Sequence, residues 1–130
     1  MEAEPEGENH IIDWRILREL NVTTGKRSPE LDKLNNQFVS IPGFMVPFED
    51  NMGQAQEFLL VPSPQACIHV PPPPPNQMIY VKMPPGRPAK MQWIPIWVSG
   101  KFRIMTNDSP YGKVSYYIEG RYTKPFGGAE

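Results

Sequence analysis

Seventeen prolines in a chain of 130 residues, five of them consecutive at Pro71 to Pro75, set the tightest limit on what this sequence can fold into. Proline fixes φ and has no N–H to donate, so it breaks helix interiors and confines strands to the stretches between prolines. Ten glycines add further punctuation. Long helices are not expected, and the chain reads as short strands closed by Pro- and Gly-rich turns.

The strand pattern is explicit. Phe38 to Val46 alternates so that Val39, Ile41 and Met45 share a face, and Asp50 to Gly53 supplies the following turn. Glu57 to Val61 is a continuous apolar run, the mark of a strand buried on both sides. Cys67 to Val70 forms a short third segment, and Gln77 to Met83 alternates again before Pro84. In Trp93 to Ile104 the residues Ile94, Ile96, Val98, Phe102 and Ile104 fall on one face, with Trp97, Ser99, Lys101 and Arg103 on the other. In Val114 to Thr123 the pattern sets Val114, Tyr116, Ile118 and Tyr122 against Ser115, Tyr117, Glu119 and Arg121, with a turn at Asn107 to Gly112. Ahead of the strands, Ile11 to Leu20 predicts a helix of two or three turns that packs Trp14 and Leu17 on the core, and one further turn of helix follows Pro29.

Gly43, Gly100 and Gly120 interrupt strands in mid-course, where glycine weakens a strand unless the chain bends sharply. Three bends and five or six short strands predict a small OB-like Greek-key barrel, mainly β, with a short N-terminal helix. An immunoglobulin-like sandwich is the alternative, but its Cys-Trp-Cys framework is missing. The expected organisation is a disordered leader over 1–10, one β-barrel domain over 11–124, and a flexible tail over 125–130. Four glutamates in the first nine residues give the leader its character.

A formal charge of -1 and a pI near 6.1 argue against a sequence-independent nucleic-acid binder, which needs a basic surface. Trp93, Trp97, Tyr111, Tyr117 and Phe126 offer stacking surface on the last two strands, yet without a basic groove no nucleic-acid partner is expected. No apolar run reaches the length of a bilayer span, so membrane attachment would need a leader or lipid anchor.

The single cysteine forms no intramolecular disulfide. On an extended strand Cys67 and His69 project to the same side, a chelating geometry for zinc or soft copper. Further ligands would come from Glu49 or Asp50, from His10 or Glu57, or from the thioethers of Met45, Met78 and Met83. Two other readings stay open. Cys67 is a small buried hydrophobe with His69 bonded to a loop carbonyl, the commoner state of a free cysteine, or, less readily than either, a nucleophile whose pKa His69 lowers. No enzyme is expected. Pro71, Pro72, Pro73, Pro74 and Pro75 form a stiff polyproline rod, and together with Asn76 and Gln77 they make a candidate partner-binding segment.

The strings Pro42-Gly43-Phe44-Met45-Val46-Pro47, Glu57-Phe58-Leu59-Leu60-Val61-Pro62, Ala66-Cys67-Ile68-His69-Val70 with its prolines, Asn76 and Gln77, and Ile96-Trp97-Val98-Ser99-Gly100 carry a resemblance. Over roughly residues 12 to 123 the chain resembles small bacterial cell-envelope proteins of unknown function, often exported or lipoprotein-like, whose genes commonly accompany zinc-responsive MacB-like transporters. Trp14-Arg15-Ile16-Leu17 stands where that family has Trp-x-x-Leu. The resemblance implies a periplasmic or cell-envelope location and a link to metal homeostasis, with Cys67 and His69 as the family's cysteine and histidine. No leader or lipobox cysteine stands among the first residues, so that location rests on the resemblance alone. Two functions follow as expectations: an accessory protein that binds or hands over zinc, or a metal-free module that docks an envelope transporter or metal-handling protein through the polyproline loop and exposed aromatics.

Overall fold

The computed structural model describes residues 10–48, 53–63 and 73–126. Within them the protein is mainly β, with a six-stranded mixed sheet and two short helices. The strands are β1 (His10–Ile11), β2 (Phe38–Pro47), β3 (Gln54–Ala55), β4 (Glu57–Val61), β5 (Ile79–Lys82), β6 (Ala89–Lys90), β7 (Ile96–Ser109) and β8 (Gly112–Pro125). The main sheet runs β1-β2-β4-β5-β8-β7, and β2 also pairs with β7, so the hydrogen-bonded order returns to its second strand. β3 and β6 make a separate two-stranded ribbon. β1–β2 and β5–β8 are parallel; the other pairs are antiparallel.

Besides its short pairing with β1, β2 divides its length between β7 and β4. Phe38 to Gly43 pairs with β7 and Phe44 to Pro47 with β4. The change falls at Pro42-Gly43, where a side chain at Gly43 would meet Leu60 Cγ at 2.8 Å and the Val61 carbonyl at 2.9 Å. Gly100 is tighter still, since a Cβ there would collide with the Glu119 carbonyl. The glycines read from sequence as bends are thus places where backbone meets neighbouring chain.

The inner face holds Val39, Ile41, Met45, Phe58, Leu60, Ile79, Val81, Ile96, Val98, Phe102, Tyr116 and Ile118. Phe102 and Tyr116 stack with centroids 5.3 Å apart. Full burial of side chains of this size is worth roughly 2 to 3 kcal/mol each. β4 is buried on both sides as expected: Phe58 and Leu60 face this core, while Leu59 and Val61 join a second cluster with Met78 and Val114.

α1 (Trp14–Leu17) is one turn rather than the two or three predicted over Ile11 to Leu20. Asp13 caps its start, Arg18 N–H and Glu19 N–H reach back only three residues, and Leu20 is taken into a β-bridge with Arg27. Leu17 is fully buried, as predicted, and Trp14 packs on the core with its indole N–H on the Pro42 carbonyl at 2.7 Å. α2 (Pro29–Asp32) is the expected single turn after Pro29, with Ser28 as its cap. His10, placed by sequence in the leader, pairs with Val39.

Further expectations change. The strand expected from Trp93 begins at Ile96, because Pro95 has no N–H for a ladder; Trp93 and Ile94 lie exposed, Ile94 off the core face assigned to it. The strand expected from Gln77 begins at Ile79, after a 3-10 turn over Pro75–Gln77. The turn at Asn107 to Gly112 contracts to Pro110 and Tyr111: β7 continues to Ser109, whose hydroxyl donates to the Gly112 carbonyl and accepts from Tyr111 N–H. Tyr122 leaves the face of Tyr116 and Ile118. The register passes from Gly100–Gly120 to Ser99–Tyr122, so Arg121 is an extra residue that reverses the alternation beyond it. Ser99, expected on the outer face, is nonetheless buried, its hydroxyl 2.6 Å from that of Ser40.

The packing at Gly100 is testable. Gly100→Ala forces the β7–β8 backbones apart and is expected to cost about 3 kcal/mol, whereas Gly25→Ala, in open space at φ +80°, costs about 1 kcal/mol. Urea unfolding of both variants checks the order; equal midpoints would remove the close-approach argument.

Candidate functional site

Cys67, His69, Glu49, Asp50, Pro71 and Pro72 lie outside the described residues. The other ligand candidates do not converge. Met45 and Met83 are buried in the main core and Met78 in the second cluster, while His10 is exposed on β1. Glu57 accepts a hydrogen bond from the Tyr80 hydroxyl. Among the described residues no three His, Cys, Asp or Glu side chains gather as a metal site.

Asn76 and Gln77, the described polar end of the polyproline segment, turn inward. Asn76 Nδ2 donates to the Leu20 carbonyl at 3.0 Å, and Gln77 Nε2 to the carbonyls of Trp14 at 3.2 Å and Asn76 at 2.8 Å. They supply donors to α1 and the turn after it, which end with unsatisfied carbonyls. The Tyr116 hydroxyl adds a bond to the Leu17 carbonyl at 2.6 Å. Burial drives the Tyr116 hydroxyl well above the ordinary tyrosine pKa, so it remains a donor. The residues after the prolines therefore fasten the N-terminal helix to the sheet.

The chemistry on the open side of the sheet lies in cross-strand rows. Paired residues share a face, so Val46, Leu59, Tyr80, Tyr117 and Arg103 form one row across β2, β4, β5, β8 and β7. The next row runs Glu57, Lys82, Glu119, Lys101, with charge alternating at each strand. Tyr80 and Tyr117 stack at 5.8 Å with 27° between planes, and Phe48 lies 5.3 Å from Tyr80 and 6.5 Å from Tyr111. Arg103 closes the row, its Nη2 3.0 Å from Glu119 Oε2. Its Nε is buried and has no hydrogen-bond acceptor among the described residues.

Both tyrosines resist ionisation. Burial first, and then the Glu57 hydrogen bond, push Tyr80 up to about 12; burial and the Glu119 carboxylate raise Tyr117. At neutral pH the face carries two neutral phenols, paired carboxylates and one buried arginine N–H with no acceptor among the described residues. That arrangement suits stacking and hydrogen bonding to a bound group. A separate shallow pocket beside Leu20, Val22 and Met105 contains Arg27, whose Nε is bonded to Asp32 at 2.8 Å.

Of the five aromatics grouped by sequence, Trp93 is exposed and the other four fall into two sets. Tyr111 and Tyr117 join Phe48 and Tyr80, whereas Trp97 packs on Phe126 with centroids 5.3 Å apart at the far end of β7 and β8. Tyr80 was legible only as a strand residue, because its partner Tyr117 is 37 positions away and parallel to it. Phe48 carried no signal of its own.

These features define a mainly β protein with an aromatic outer face. The chain belongs to the DUF3299 family, described as a protein of unknown function, whose model matches residues 18–125. It is similar to a DUF3299 family protein from Pseudomonas aeruginosa PAO1 known from a crystal structure, at 26% identity over 92% of this chain and 97% of that one, with a TM-score of 0.71. No curated protein matches. The likeness drawn from sequence thus holds as membership of a family of unknown function.

The Tyr80–Glu57 pair makes a prediction. Because the folded-state pKa lies above the usual value of 10, stability is fully present below pH 10 and falls as pH rises towards about 12. Ultraviolet titration of tyrosinate should show a group near that upper value that disappears in Tyr80→Phe and moves down in Glu57→Gln. An unchanged profile in both variants contradicts the pairing.

Proposed function

We propose that this chain is a non-enzymatic docking module, an OB-like Greek-key barrel that receives a protein segment on the outer face of β4, β5 and β8. The barrel reading is supported by the pairing order that returns to β2, by the parallel β5–β8 step and by the backbone approaches at Gly43 and Gly100. In such barrels the outer face around the second and third strands is the usual binding surface. Here those strands are β4 and β5, and they carry the aromatic row.

One observation carries the docking reading: Arg103 Nε, a buried donor at the end of the row that lacks an acceptor among the described residues. Buried polar groups are ordinarily satisfied, and leaving one unpaired costs about 1 to 3 kcal/mol. A peptide carbonyl lying along Tyr117 would satisfy it. Phe48, Tyr80 and Tyr111 would then pack the segment's apolar side chains, as tyrosine-lined grooves do. On the resemblance, the partner is an envelope protein.

A photo-crosslinking residue at Tyr117 or Tyr111, introduced in the cells that make the protein, is expected to trap one discrete partner, while the same probe at Val22 traps none. With that partner purified, Arg103→Gln and Tyr80→Ala should each weaken binding about tenfold or more. Trapping that is equal at Tyr117 and Val22, or affinity unchanged in both variants, sinks the proposal.

A further inference from the structure

The pocket beside Leu20, Val22 and Met105 is built on an irregularity in the last hairpin. The register of β7 and β8 passes from Ile104–Tyr116 to Asn107–Val114, so Met105 and Thr106 together face Ser115. Such a bulge interrupts the ladder and re-aims the side chains around it. Ile104, Met105 and Ser115 line a cavity of about 220 Å³ there, with Leu20, Val22 and Arg27 on its other wall. That wall is set by the protein's own bonds. Leu20 bridges to Arg27, and the turn between them is held by Asn21 Oδ1, which accepts from Thr23 N–H at 2.9 Å and Thr24 N–H at 3.0 Å.

Donors are left over at this cavity. Ser115 is only 6% exposed, yet its hydroxyl makes no hydrogen bond to a described residue, whereas buried hydroxyls are ordinarily paired. Arg27 is the one charged side chain among the described residues that line the cavity. Asp32 takes its Nε at 2.8 Å, and the terminal nitrogens have no acceptor among the described residues.

Charge and size indicate what fits. A guanidinium bonded side-on to one carboxylate can receive a second end-on through its terminal N–H groups. Asp32 and Glu19, which accepts from the Ser28 hydroxyl, lie outside the lining and offset part of the arginine charge. One further negative charge is therefore accommodated better than two. The remaining wall is largely aliphatic, and the volume is below the roughly 300 Å³ at which sites for larger ligands begin.

We propose that this pocket binds a small aliphatic monocarboxylate. Its carboxylate accepts from the Arg27 fork and the Ser115 hydroxyl, and its short chain lies against Leu20, Val22, Ile104 and Met105. None of these residues belongs to the Tyr80–Tyr117 row, so the pocket is a second site apart from the docking face.

Titration of the full chain with isovalerate, with its neutral counterpart isovaleramide and with inorganic phosphate, followed by amide NMR shifts, tests this. Isovalerate is expected to saturate the site and move the signals of Val22 and Met105, binding about tenfold more tightly than isovaleramide and more tightly than phosphate. Arg27→Gln should weaken isovalerate about tenfold, and Ser115→Ala about fivefold. Without ligand, Ser115→Ala should melt at or above the wild-type temperature, because its hydroxyl bonds to no described residue; this separates lost recognition from lost folding. The proposal is overturned if isovalerate does not saturate, if the amide binds as well as the acid, if phosphate binds more tightly, or if both variants keep wild-type affinity.

Discussion

The junction at Pro42-Gly43 decides the shape of this molecule. One strand must hand its hydrogen bonds from β7 to β4 in mid-course, and the crossing is possible only if nothing projects from residue 43 into Leu60 and Val61. Proline at 42 suits the same place. With no N–H to donate, it stands where the ladder changes partner and leaves its carbonyl to the Trp14 indole. From this corner follow the returning pairing order, the enclosed inner face and the docking of α1 across the seam.

The second constraint is the parallel step between β5 and β8. Parallel neighbours need a long connection, and here it is filled by β6, the exposed Trp93–Pro95 segment and the whole of β7. That detour brings Tyr80 beside Tyr117 and Lys82 beside Glu119. The aromatic row and the alternating charge row are thus products of topology, since each strand contributes only one residue to each row.

Much of the inner face was legible because alternation with period two is local. Val39, Ile41, Met45, Ile96, Val98, Phe102, Tyr116 and Ile118 declare themselves within a few residues. The errors arose where the count is broken by one. Arg121 adds a residue to β8, and every side chain beyond it changes sides, which is how Tyr122 was misplaced. The helix was overextended because Ile12 and Leu20 fit its periodicity, yet Ile11 is drawn into pairing with Ser40 of the remote strand β2 and Leu20 into a bridge with Arg27, seven residues on. The candidate site was less legible. Asn76 and Gln77 looked like the open end of a proline rod, and only the folded chain reveals the carbonyls of Trp14 and Leu20 waiting for their amides.

The bulge at Arg121 also separates two kinds of surface. Before it, β8 presents Tyr117 and Glu119 to a face where each charge has an opposite neighbour. After it, the strand sets Tyr122 opposite Ser99 and Lys124 opposite Trp97, on the way to the end that carries the exposed Trp93 and Phe126. A paired, aromatic face discriminates by shape and hydrogen bonding, whereas protruding apolar side chains make fewer geometric demands. One inserted residue therefore lets a single strand serve two surfaces of different chemistry.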